Sequence, residues 1–153
     1  MEVPELRITP DRYLTYRYAG ASGDFNPIHI DDEYARAVGE TNPLHVDVEA
    51  ARAAGHRDVV APPMFAVVYA SRALGPALFD PEVGMDFARM VHGAQEFTWG
   101  PLVVAGDEIT TEVAVDDISE RGGMGFYVFE SRSDNQDGER VSTGRWTCIV
   151  RGQ

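Results

Sequence analysis

The chain has 153 residues, 44% of them hydrophobic and 10% aromatic, which suits one globular domain with its own core, spanning 1–153. Its 25 acidic residues against 13 basic ones leave a net charge of −12, a field that repels polyanions and so argues against nucleic acid and anionic membrane surfaces as partners. Cys148 is the lone cysteine, no apolar run approaches bilayer length, and MEVPELRITP has no secretory signature; the expectation is a cytoplasmic protein with no disulfide framework, no membrane segment and no thiolate metal cluster.

In chain order, ELRIT reads as a short strand, and Thr9-Pro10 pairs an N-cap residue with a proline at the first helical position. A helix is expected over the following DRYLTYRYAGASG, carried by Tyr13, Leu14, Tyr16, Tyr18 and Ala19. Two similar loop-helix units come next, at 23–39 and 39–55. Asn26, Pro27, His29, Asp31, Glu33, Ala35, Arg36, Ala37 and Gly39 recur as Asn42, Pro43, His45, Asp47, Glu49, Ala51, Arg52, Ala53 and Gly55. Each unit is an Asn-Pro-aliphatic-His loop whose helix opens on an acidic residue, Asp31 or Asp47, and closes on a glycine, Gly39 or Gly55. Two units are too few for a solenoid, so the repeat reads as a local duplication.

The stretch APPMFAVVYASRALGPALF predicts a very apolar helix over about 64–79, with Met64, Phe65, Val67, Val68, Ala70, Leu74, Leu78 and Phe79 on nearly all sides; such a helix belongs in the middle of a fold. After DPEVGMD the period changes. ARMVHGAQEFTW, DEITTEVAVDDI, MGFYVFESRS and RVSTGRWTCIVR read as strands, separated by Gly100-Pro101, Gly122-Gly123 and DNQDG, whose Asp137-Gly138 signals a hairpin. Helices followed by an antiparallel meander predict an α+β domain whose sheet wraps the central helix, and a sheet edge left open predicts a dimer that continues it.

The candidate chemistry sits in the repeated loops. In SGDFNPIH, Asp24 and His29 stand five apart across a proline-stiffened loop and can converge on one point. A carboxylate beside an imidazole makes a general acid and base pair, and the Asn26 amide can hold the loop or a substrate oxygen. Taken alone, the same loop also fits an Asx-type turn before a helix. In the second copy Glu40 replaces the aspartate beside His45, its extra methylene displacing the carboxylate by about a bond length.

YAGASGDFNPIHIDDEYA resembles the hydratase 2 motif of the MaoC-like family of (R)-specific enoyl thioester hydratases and 3-hydroxyacyl dehydratases. That resemblance implies a hot-dog fold and a catalytic pair at Asp24 and His29, which handles a water that adds to or leaves C3 while a proton moves at C2. GETNPLHVDVEAARAAGHRDVVAPPMF, with FTWGPLVVAGDEITTEV downstream, is similar instead to the N-terminal MaoC-like dehydratase domain. This is the type found in the accessory subunit of the mycobacterial heterodimeric hydroxyacyl-ACP dehydratase, where the partner carries the dyad. Hydratases of the family place a His-Gly dipeptide at the start of the central helix, the glycine N–H donating to the thioester carbonyl. Pro62 and Pro63 stand there in this chain and have no N–H, so a later amide such as that of Met64, or a partner subunit, has to supply the donor.

The implied function is hydration or dehydration across C2–C3 of an acyl-CoA or acyl-carrier-protein thioester, with no metal and no organic cofactor, by a homodimer or a heterodimer with another MaoC-like chain. The alternative dyad is Glu40 with His45. Arg52, Arg57 and Arg72 are the available basic patch for substrate phosphates. His56 and His92 have no metal-like spacing to another ligand. Two rivals are a catalytically weak accessory acyl-binding subunit, favoured by Glu40 and Pro62-Pro63, and a hot-dog thioesterase directing water to the carbonyl, which the hydratase-type loop argues against.

Overall fold

The structure, a computed structural model, describes residues 6–8, 35 and 38–152. The helix expected after Thr9-Pro10 and most of the first loop-helix unit, including Asp24, Asn26 and His29, lie outside the described residues. Among the described residues five antiparallel strands form one sheet in the order β1-β3-β4-β5-β2, from β1 (Leu6–Ile8), β2 (Met90–Trp99), β3 (Ile109–Arg121), β4 (Met124–Asp134) and β5 (Arg140–Val150). Accompanying it among the described residues are a short α1 (Val48–Ala53) and a longer α2 (Ala66–Leu78), which a 3-10 turn over Pro63–Phe65 introduces.

Local chemistry explains the meander. Arg121 pairs with Met124, leaving a two-residue turn whose Gly122 and Gly123 have φ of 59° and 74°. Positive φ at both central positions matches the right-handed twist of the flanking strands, and glycine adopts it without strain. The β4–β5 connection is the five residues 135–139. Gly138 (φ 77°) donates its N–H to Asn135 O at 3.0 Å, and the Asn135 side chain accepts from the amides of Asp137 and Glu139 at 3.0 and 2.9 Å. In β2 the register shifts between His92 and Ala94, around Gly93, where a Cβ would stand 2.5 Å from Ile149 Cδ1.

The inner face of the sheet follows the period of two. Ile109, Thr111 and Val113 are buried, whereas Glu112 and Ala114 are exposed. Across the strands, Val115, Phe129, Trp146 and Gln95 stand in one row, and Thr111, Ser133 and Ser142 in another. The helix α2 meets this face with Ala66, Ala70, Ala73 and Ala77, at most 1% exposed and spaced at i, i+4, i+7 and i+11. A stripe of methyl groups lets the helix axis approach the sheet closely. The polar row is satisfied internally: Tyr69 Oη donates to Ser142 Oγ (2.9 Å), Thr111 bonds Ser133 (2.9 Å), and Trp146 Nε1 donates to Ser131 Oγ (2.8 Å).

The architecture is the expected hot dog, an antiparallel sheet around a central helix. Cys148 is buried in its core. The apolar girdle of α2 is less completely covered than its composition suggests. Phe79, just past the helix, is 64% exposed and rests on the exposed Phe87 with ring centroids 4.5 Å apart. No helix among the described residues is long and apolar enough to cross a membrane.

Candidate functional site

The second loop is held by its own polar residues. Gly39, at φ 74°, ends the preceding turn, and the Glu40 N–H donates to Ala35 O at 2.7 Å, a helix-closing bond that a left-handed residue permits. The Glu40 carboxylate then folds forward: its Oε1 accepts from the amides of Thr41 (2.9 Å) and Asn42 (2.8 Å). Asn42 Oδ1 accepts from Leu44 N–H (3.1 Å), capping a 3-10 turn over Pro43–His45 that Pro43 opens with a pre-set φ. Asp47 caps α1 by accepting from Glu49 and Ala50 at 2.9 and 3.2 Å, and Gly55, at φ 95°, closes it. The acidic opening and glycine closing read from the sequence are therefore present in the second unit.

His45 is half-buried, and its Nδ1 lies 2.7 Å from the carbonyl oxygen of Val60. A carbonyl only accepts, so Nδ1 carries the hydrogen, and in the neutral imidazole the lone pair is on Nε2. The loop is sewn to the same residue a second time, because Val60 N–H donates to Leu44 O at 2.9 Å. Val60 in turn bridges Val104, flanked by Ala61 N–H to Val103 O (2.8 Å) and Ala105 N–H to Val59 O (3.1 Å). Three residues beyond Val60 the chain enters the turn that starts α2. The imidazole thus stands beside the start of the central helix.

The Asn42 amide, helped by the Thr41 amide and the nearby His45, holds the Glu40 carboxyl below the usual carboxylate range against a smaller opposing effect of burial. At neutral pH Glu40 is ionised. Carboxylate and imidazole lie within electrostatic reach of each other. At the helix start, Pro62 and Pro63 contribute carbonyls only; Trp99 Nε1 donates to Pro63 O at 2.9 Å. Met64, 48% exposed, is the first residue of that turn with an N–H, and first-turn amides have no intrahelical acceptor.

The basic residues are placed differently from a free anion patch. Arg52 bonds Glu49 Oε1 (3.2 Å), approaches Asp58 (3.9 Å) and reaches the Arg57 carbonyl (3.4 Å). Arg57 forms an ion pair with the buried Asp107. Arg72 lies half-buried on α2. His56 is half-buried after the α1 stop, and the exposed His92 lies over Trp146 with centroids 6.0 Å apart, its Nε2 3.1 Å from Ala94 O. Among the described residues no group of three or more His, Cys, Asp or Glu side chains could hold a metal ion.

Sequence reasoning missed Asp107. It is 5% exposed, and its carboxylate takes Val104 N–H at 2.7 Å and Gln136 Nε2 at 3.0 Å besides Arg57. The available signal was local: an acidic residue directly after Gly106, at the head of an apolar strand, in the run VVAGDEI. Its partner lies fifty residues upstream, beyond the reach of spacing patterns.

A family model described as FAS1-like, dehydratase domain region, matches residues 32–144. A UPF0336 protein of Clavibacter michiganensis subsp. michiganensis is 47% identical over 135 residues, covering 88% of this chain and 80% of its own length. Another, from Saccharopolyspora erythraea, is 43% identical over 95 residues, 62% of this chain and 61% of that relative, so the match spans less than two thirds of the relative's length. In fold, the chain is similar to one from the C-terminally truncated HadBC (3R-hydroxyacyl-ACP dehydratase) complex of Mycobacterium tuberculosis. The TM-score is 0.74 at 24% identity, covering 97% of this chain and 92% of that one.

Proposed function

The chain belongs to the FAS1-like dehydratase-region family, and from that premise we propose that it hydrates enoyl thioesters, or dehydrates 3-hydroxyacyl thioesters, with (R) stereochemistry. The observation that carries the proposal is the bond from His45 Nδ1 to Val60 O, which leaves a basic Nε2 beside the start of the central helix. In the hydration direction the water O–H bond breaks and C3–O forms. The C2–C3 π pair moves to C2, drawn by the thioester carbonyl, and C2 takes a proton. Nε2 receives the water proton and returns one to C2, while the ionised Glu40, whose Oε1 is held by two amides, positions the water with its other oxygen. The Met64 N–H, the first after Pro62-Pro63 at the start of the helix, is the donor for the oxyanion that develops on the carbonyl.

A second dyad reading rests on Gly23-Asp24-x-Asn26-Pro27-Ile28-His29, the better match to the hydratase motif, in which Asp24 and His29 react and Asn26 supports them. A second reading of the whole chain rests on Pro62-Pro63: with no N–H at either position, the chain serves as an acyl-binding subunit beside a second MaoC-like chain that supplies the missing donor. The acyl thioester is carried on CoA or on a carrier protein, and the assembly is a dimer, homomeric or heteromeric. Arg52 and Arg57 are weakened as phosphate ligands by the carboxylates they already hold.

The test is the hydration of crotonyl-CoA, followed as loss of the enoyl absorbance. Turnover by the purified chain supports the enzyme reading. Turnover only after a MaoC-like chain with an intact His-Gly helix start is added supports the accessory role. Release of free CoA without hydration overturns both and points to a thioesterase.

A further inference from the structure

The Val60 carbonyl that orients His45 is not held by its own backbone neighbours alone. The two short segments that bridge at Val60 and Val104 are both tied to one buried carboxylate. Asp107 Oδ2 accepts from Val104 N–H at 2.7 Å, and Oδ1 takes the Arg57 guanidinium, whose backbone lies three residues before Val60. Gln136, from the β4–β5 turn, donates Nε2 to the same Oδ1 at 3.0 Å and accepts the Glu108 amide at 3.0 Å, so the sheet itself is anchored there. Asp107 also donates its own N–H to Val104 O at 3.0 Å.

We propose that the Asp107–Arg57 pair is a positioning device for His45: it clamps the segments 57–61 and 103–107 together so that the Val60 carbonyl selects the Nδ1–H tautomer and leaves Nε2 basic. The proposal rests on the reading of His45 as the working imidazole. A hydrogen bond to one ring nitrogen sets which nitrogen bears the proton, and partners behind that bond keep the ring in place. The Asp107 end of the pair is only 5% exposed while Arg57 is half exposed, so the attraction is partly screened, and the buried carboxylate with its fixed partners is what sets the spacing of the two loops. A neutral substitute at either end keeps the shape and loses the clamp.

The experiment is measurement of the imidazole nitrogen chemical shifts in the full chain, at a pH where the rings are neutral. His92 serves as the internal reference, because it lies in β2 and does not bond Val60. The variants are Arg57→Gln, Arg57→Lys and Asp107→Asn. The expected result is one dominant Nδ1–H tautomer of His45 in the unmodified chain, a mixture in Arg57→Gln and Asp107→Asn, and recovery in Arg57→Lys. His92 does not change. Where the chain hydrates crotonyl-CoA, the same two variants lose on the order of tenfold or more in kcat, with KM held in Asp107→Asn. Folded Arg57→Gln in which the His45 tautomer is unchanged overturns the proposal. Arg57 is more than half exposed, so this variant carries the test even if Asp107→Asn does not fold. A shifted tautomer in a chain with no hydratase activity upholds the clamp and contradicts the assigned reaction.

Discussion

At the scale of single residues the second loop is a set of side chains bonding their own backbone, and Glu40 shows how such a role and a chemical one coincide. Its carboxyl is held below the usual range chiefly by the Asn42 amide, so folding favours the anion. A depressed pKa contributes stability that is complete above the unfolded value and is lost as pH falls through the folded one. Glu40→Gln, which can still accept from both amides through its side-chain oxygen, is therefore expected to be less stable than the parent at neutral pH. The gap closes as pH falls through and below the ordinary carboxylate range. Denaturation midpoints of both proteins across that range check this, and a gap independent of pH contradicts it. The loop's local bonds were legible in the sequence because Asn42, Asp47 and Gly55 bond or bend within a few residues. The Arg57–Asp107 pair and the His45–Val60 bond were not, because both depend on how distant segments are brought together.

At the scale of elements, the strands followed directly from the period of two and from turn chemistry at Gly122-Gly123 and Asp137-Gly138. The apolar helix was equally plain, as was its place against the sheet. Its face was not, because an all-round apolar composition does not say which side meets the sheet; the buried alanines at 66, 70, 73 and 77 do. Gly93 could not be told from an ordinary strand glycine until the β2–β5 register showed the bulge there. The six-residue α1 is too short to persist without its caps, and Asp47 supplies two acceptor contacts at its N-terminus. Asp47→Ala is expected to cost about 1 kcal/mol in denaturant unfolding, the usual value of such a cap. Because Asp47 follows His45 by two residues, the same variant should also broaden the His45 ring resonances. A loss within a few tenths of a kcal/mol and an unperturbed ring would show that the loop, and not the cap, holds α1 in place.

At the scale of the whole molecule, the outer edge of β2 has no strand partner among the described residues, and it exposes Val91 and Trp99 at 36% and 49%. An open edge with apolar side chains is a pairing surface. The chain is expected to sediment at twice its mass or more at micromolar concentration, and a stable folded monomer would rule out the dimer that the sheet edge predicts. The duplicated loop could be read from the sequence, but not which of its two histidines does chemistry. Proximity along the chain favoured the second and motif quality the first. The structure describes only the second copy, with His45 bonded to Val60 at the approach to α2.

Crotonyl-CoA hydration by His45→Ala beside His29→Ala, each assayed in the same oligomer as the parent, tests the central claim most directly. The account predicts that His45→Ala loses on the order of 10²-fold or more in kcat, the scale typical of a removed general acid-base group, while His29→Ala stays within a few-fold of the parent. An inactive His29→Ala with an active His45→Ala would contradict it, moving the chemistry to the Asp24–His29 loop and leaving His45 a structural histidine at the helix start.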